Sequence, residues 1–144
     1  QEAAATWQDA MQLQGLSVAA APPGEPFVLL DSLPETPLPA GTTLRVELFW
    51  DVLADMDQNY TVFVHALSPD SRLLGQHDSW PADAHRPTAV LPVGENFRDV
   101  HYLPLNEPAD PSGITLRIGL YDSFSSEILQ PTGHEDYIEL PAHN

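Results

Sequence analysis

Cysteine is absent from the 144 residues, and so is lysine. The first absence excludes disulfides, thiolate nucleophiles and cysteine-ligated zinc, and leaves the cellular compartment open. The second leaves five arginines to face 21 acidic residues, for a formal net charge of -16. A chain this acidic is repelled by nucleic acid and by anionic membrane surfaces, so no nucleic-acid partner is expected. Long apolar runs are missing as well, and nothing approaches the roughly 20 residues of a membrane span. There is no glycine-rich phosphate loop and no serine-centred nucleophile elbow. Carboxylates are so abundant that finding a glycosidase-like pair by counting carries no weight. Neither enzyme activity nor a cofactor is expected.

What is present is a strand pattern. Thr42 to Leu67 reads TTLRVELFW, a polar break DVLADMDQ, then NYTVFVHAL. Side chains alternate across a pleated sheet, so Leu44, Val46, Leu48 and Trp50 share one face and Arg45 and Glu47 the other. In the second run Tyr60, Val62 and Val64 oppose Thr61, Phe63 and His65. ITLRIGLYD (Ile114 to Asp122) repeats the pattern, with Leu116, Ile118 and Leu120 against Arg117, Gly119 and Tyr121. Three strands with apolar faces need a second layer to bury them, and two packed antiparallel sheets are the usual answer. The 15 prolines, spread along the chain, argue against helices.

The length suits one domain, expected over residues 11–144, after a loosely held lead-in, residues 1–10, anchored by Trp7 and with a weak helical tendency from Ala3 to Gln12. The chain starts at Gln1 without methionine or signal peptide and reads as a mature or excised fragment. Met11 to Val18 reads as a strand with a bulge at Gly15, where the alternation slips. Phe27 to Leu33 reads as a second strand, Arg72 to Asp78 as a hairpin partner after the turn SPDS, and Phe97 to Leu105 and Tyr137 to Leu140 as later strands. Ser79 to Asn96 is long and carries Trp80, Pro81, Pro87 and Pro92; loops of that length are usually functional or pinned. The expected fold is all-β, an immunoglobulin-like antiparallel β-sandwich.

The chemical candidates are few. Asp55-Met56-Asp57-Gln58-Asn59 begins like a calcium loop, but the glycine and the bidentate glutamate are replaced by Tyr60 and Ala66, which leaves an acidic turn. His65, His77, His101 and Asp78 can converge if their strands are neighbours. None has tight ligand spacing, so a structural pairing is expected in preference to a metal site. Phe63, His65 and Tyr121 share an outward face if their strands share a sheet. That face is either a stacking surface for sugar rings or is covered by the long loop through Trp80 and Val90. Cover is the expected arrangement, because large exposed apolar patches are unusual. Asp78 is placed to accept from His65 or Arg86 and fix the loop's departure. The candidate ligand or loop-anchoring residues are thus Phe63, His65, Asp78, Trp80, Arg86 and Tyr121.

The ordered set FW, an acidic connection, YTVFVHAL, SPDSRLLGQHDSWP, RPT, LPVGE and LRIGLYD resembles a bacterial β-sandwich module. That module is found at the extracytoplasmic ends of multi-spanning membrane proteins, often glycosyltransferase-like ones. The likeness covers most of Met11 to Leu140, with Leu91 where the module would carry tryptophan before the proline. It implies an accessory domain outside the membrane, tethered to a membrane protein, and carries over no catalytic residue. The expected function is that of a non-catalytic interaction or spacer domain of a larger cell-envelope protein, with a glycan or another envelope protein as partner. The alternative is a carbohydrate-binding module that uses the aromatic sheet face.

Overall fold

The computed structural model describes residues 2–81 and 87–143, with backbone alone for residues 2–4. Its strands are β1 (Glu2–Trp7), β2 (Met11–Ala21), β3 (Val28–Leu29), β4 (Thr43–Val52), β5 (Tyr60–Leu67), β6 (Leu73–Ser79), β7 (Asn96–Pro104), β8 (Thr115–Asp122), β9 (Ile128–Leu129) and β10 (Ile138–Pro141). They form two antiparallel sheets in a sandwich-like, all-β arrangement. One sheet runs β1-β2-β4-β7 with β3 beside β2; the other runs β10-β8-β5-β6 with β9 beside β8.

Alternation in the sequence becomes burial. Leu44, Val46, Leu48 and Trp50 of β4 are sealed in the core, as are Tyr60, Val62 and Val64 of β5 and Leu116, Ile118 and Leu120 of β8. Each such aliphatic side chain contributes about 1.5–3 kcal/mol by leaving water. Trp50 meets Trp7 edge to face, with ring centroids 5.5 Å apart. The acidic connection between β4 and β5 carries the chain from one sheet to the other. It buries Met56 and ties back to the β1–β2 turn through Leu53 N–H donating to Ala10 O at 2.7 Å. Within it, Asp57 accepts from Tyr60 Oη at 2.8 Å and from Gln8 Nε2 at 3.0 Å. Burial, then the bond and charge of Asp57, push the Tyr60 phenol up to about 12. The same bonds from Tyr60 and Gln8 hold the Asp57 carboxyl below its ordinary range.

Gly15 does mark a bulge, where the register of β2 on both neighbours shifts between Leu13 and Gly15. Two elements differ from the sequence reading. Glu2–Trp7, read as a loose lead-in with helical tendency, is strand β1 hydrogen-bonded along β2. Alanine favours helix, but burial of Trp7 and the backbone pairing offered by the edge of β2 override that weak preference. Phe27 to Leu33, read as a full strand, keeps only the two residues of β3 before a 3-10 turn at Leu30–Ser32, where Leu30 drops into the core.

One side of the sandwich is closed by β6 and β7, which lie at the edges of different sheets. A Cβ on Gly75 would stand 2.5 Å from the carbonyl oxygen of Pro104, so the two backbones approach as only glycine permits. Just beyond β7, Asn106 donates its backbone N–H to Leu74 O at 2.8 Å and its side-chain Nδ2 to Leu73 O at 3.1 Å.

Candidate functional site

The outward face of the β10-β8-β5-β6 sheet carries an open groove of about 340 Å³. Phe63 of β5 faces Gly119 of β8 in register, and its ring occupies the space a side chain would take there. A Cβ on Gly119 would sit 2.3 Å from Phe63 Cζ. The bare backbone of Gly119 therefore lets Phe63 lie flat on the sheet, leaving it 5% exposed. Tyr121 stacks beside it at 6.0 Å between centroids and 25° between planes, and His65 tilts against its other side at 5.1 Å. A third ring, Tyr137, closes the far wall, with the Arg117 guanidinium 4.1 Å above its centre. Arg117 is also held by Glu139 at 3.2 Å.

Asp78 of β6 is the polar post of this groove. It accepts from Tyr121 Oη at 3.0 Å, and His65 Nε2 lies 3.8 Å from its other oxygen. Burial works to raise the Asp78 carboxyl, but His65 and Tyr121, with the nearby imidazole of His77, outweigh it and hold the group below its ordinary range. Burial, then the bond to the Asp78 carboxylate, push the Tyr121 phenol up, so it remains a hydrogen-bond donor at neutral pH. Asp78 lines the groove, and Glu139 stands at its rim, paired with Arg117.

Phe63, His65, Asp78 and Tyr121 are thus brought together. Arg86 lies outside the described residues. Trp80 stands apart, at the end of the sheet, where its Nε1 donates to Ser123 Oγ at 2.9 Å. The expected cover by Trp80 and Val90 is not what the described part of the loop does. Val90 is 71% exposed, and Thr88 is drawn instead to the β4–β5 connection. Its hydroxyl donates to Gln58 O at 2.7 Å and accepts from the Tyr60 N–H at 2.8 Å, and Ala89 N–H donates to Asn59 Oδ1 at 3.1 Å. Leu91, where the resembled module would place tryptophan, is buried. Sequence reasoning missed Arg117 and Tyr137. Arg117 had the right parity beside Tyr121, whereas Tyr137, just before β10, offered no signal of its own.

The histidines divide between the two faces of the sheet. His65 faces the groove, while His77, opposite Val64 in register, points inward and meets His101 of β7. Their Nδ1 atoms are 2.7 Å apart, His101 Nε2 is 2.8 Å from Asp99 Oδ2, and Trp50 Nε1 donates to the same oxygen at 3.2 Å. Asp99 and His101 are fully buried, so this is a polar rivet across the β6–β7 side. Among the described residues, no three histidine or carboxylate side chains converge as a metal site.

The groove offers ring faces beside fixed donors and acceptors, an arrangement that stacks on flat apolar surfaces and hydrogen-bonds at their rims. Compared with known proteins, the chain matches no family model, and no curated protein matches it either.

Proposed function

We propose that the chain is a non-catalytic, extracytoplasmic accessory module of immunoglobulin-like topology that binds a neutral glycan in the groove over Phe63, Tyr121 and Tyr137. The observation that carries the binding reading is the groove itself, where the half-buried rings of Tyr121 and Tyr137 flank the buried Phe63, left uncovered by the described part of the long loop. Sugar rings present apolar C–H faces and hydroxyl rims, which suit Tyr121 and Tyr137 as platforms and Asp78, His65 and Arg117 as rim partners. A net charge of -16 disfavours anionic chains. The non-catalytic reading rests on the sequence, which carries no nucleophile elbow, phosphate loop or tightly spaced metal ligands. The topology is supported by the hairpin β5–β6 beside β8 and β10, with β2, β4 and β7 in the other sheet. Placement outside the membrane, tethered to a membrane protein, rests on the resemblance of the ordered sequence motifs. Among the described residues, no helix is long and apolar enough to cross a membrane.

A glycan array probed with the wild-type domain and with Tyr121→Ala tests the reading. Binding of uncharged glycans, weakened about tenfold in the variant, is the expected result. A wild-type domain that binds no glycan overturns the carbohydrate reading. A second reading, docking to another envelope protein, is favoured by the opposite sheet. There Phe27 and Tyr102 pack at 6.0 Å under Arg45 and remain 36% and 50% exposed.

A further inference from the structure

Beyond the groove, β8 continues to a second aromatic surface. Ser123 lies six positions after Arg117, roughly 20 Å along an extended strand. At that end Trp80, Phe124 and Ser123 surround a depression of about 390 Å³ with Gln58, Asn59 and Asp122. Phe124 is 99% exposed, with the whole ring in solvent. Its backbone is nonetheless fixed. Asp122 Oδ1 accepts the N–H groups of Phe124 and Ser125 at 2.8 and 3.1 Å, the side-chain-to-backbone closure that defines a tight turn. Trp80 is held by its bond to Ser123, whose hydroxyl also pairs with Thr61 Oγ1 at 2.9 Å. Thr61 lies opposite Tyr121 in register. The two aromatic surfaces are therefore neighbours on one sheet, joined by the short hydroxyl residues Thr61 and Ser123.

We infer that the two surfaces form one continuous site, which takes an extended, uncharged polysaccharide chain running from the Tyr137–Phe63–Tyr121 groove onto the Trp80–Phe124 end. This rests on the glycan reading of the groove. Ring faces alternate with polar posts along the path: Asp78 beside Tyr121, then the hydroxyls of Thr61 and Ser123, then the amides of Gln58 and Asn59. A linear chain of pyranose rings repeats the same alternation of C–H face and hydroxyl rim. A small monosaccharide ligand would leave the Phe124 ring without a role in binding. The Asp78 carboxylate on the path and the net charge of -16 oppose a uronic-acid chain, which selects neutral sugars over anionic ones.

The test is isothermal titration of the whole domain with neutral cello-, xylo- and manno-oligosaccharides from two to six units long. Wild-type affinity for one of these series is expected to rise through the hexasaccharide. Phe124→Ala and Trp80→Ala should each weaken the hexasaccharide about three- to tenfold and change the disaccharide by less than about twofold. Tyr121→Ala should weaken both lengths. Because Phe124 is entirely in solvent, its truncation leaves the core intact and keeps the test valid even if Trp80→Ala unfolds. If affinity levels off at the disaccharide and Phe124→Ala binds like wild type, the extended site is overturned while the groove stands. If no oligosaccharide binds the wild type, the glycan reading falls and the extended site with it.

Discussion

Trp50 joins the two kinds of stabilisation in this core. Its ring fills the space between the sheets against Trp7, and its Nε1–H supplies a donor to Asp99, which is cut off from water. Trp50→Ala is expected to cost about 3–5 kcal/mol, since it leaves both a cavity and a buried carboxylate short of a donor. Chemical denaturation reads this directly, and an unchanged midpoint would mean that β4 faces the other way. Asp78 gives a different residue-scale expectation. Its folded pKa is depressed, so the stability it contributes is present above the unfolded aspartate value, about 3.9, and is lost as pH falls through the lower folded value. Asp78→Asn should therefore lower the neutral plateau of melting temperature modestly and flatten the fall below about pH 4, where variant and wild type converge. An acid limb that is identical in variant and wild type would mean that the Tyr121 and His65 contacts do not bias its ionisation. That Trp50 is buried could be read from parity alone. That His77 and His101 meet could not, because the inward aim of His77 depends on its register opposite Val64, which no local pattern encodes.

At the scale of elements, the β1–β2 hairpin shows what sequence reasoning could not see. EAAATW has no strand alternation, and its turn puts Gln8 and Asp9 both at positive φ, 54° and 48°. Left-handed backbone at two successive turn residues suits the twist of a hairpin but favours glycine or asparagine. Gln8 gains compensation through its side-chain bonds to Asp57 and Tyr60, whereas Asp9 is simply exposed. Asp9→Gly is therefore expected to stabilise the domain by about 0.5–1 kcal/mol, seen as a higher melting temperature. A fall in melting temperature would show that the added freedom of the unfolded chain outweighs the relieved turn. The strands with clear alternation, β4, β5 and β8, were legible because each buries one full face. The course of Ser79 to Asn96 was not, because it turns on Thr88 reaching Gln58 and Tyr60, some thirty residues earlier in the chain.

For the whole molecule, the consequence lies in direction. β1 runs toward the end of the sandwich that holds the Trp7–Ala10 turn, Trp80 and Phe124, and β10 runs away from that same end. β10 ends with Pro141 opposite Thr115, the first residue of β8, and so at the opposite pole. Were the domain carried on a stalk through β10, its Phe124 tip would stand outermost, as the part of the molecule that first meets whatever lies beyond the surface.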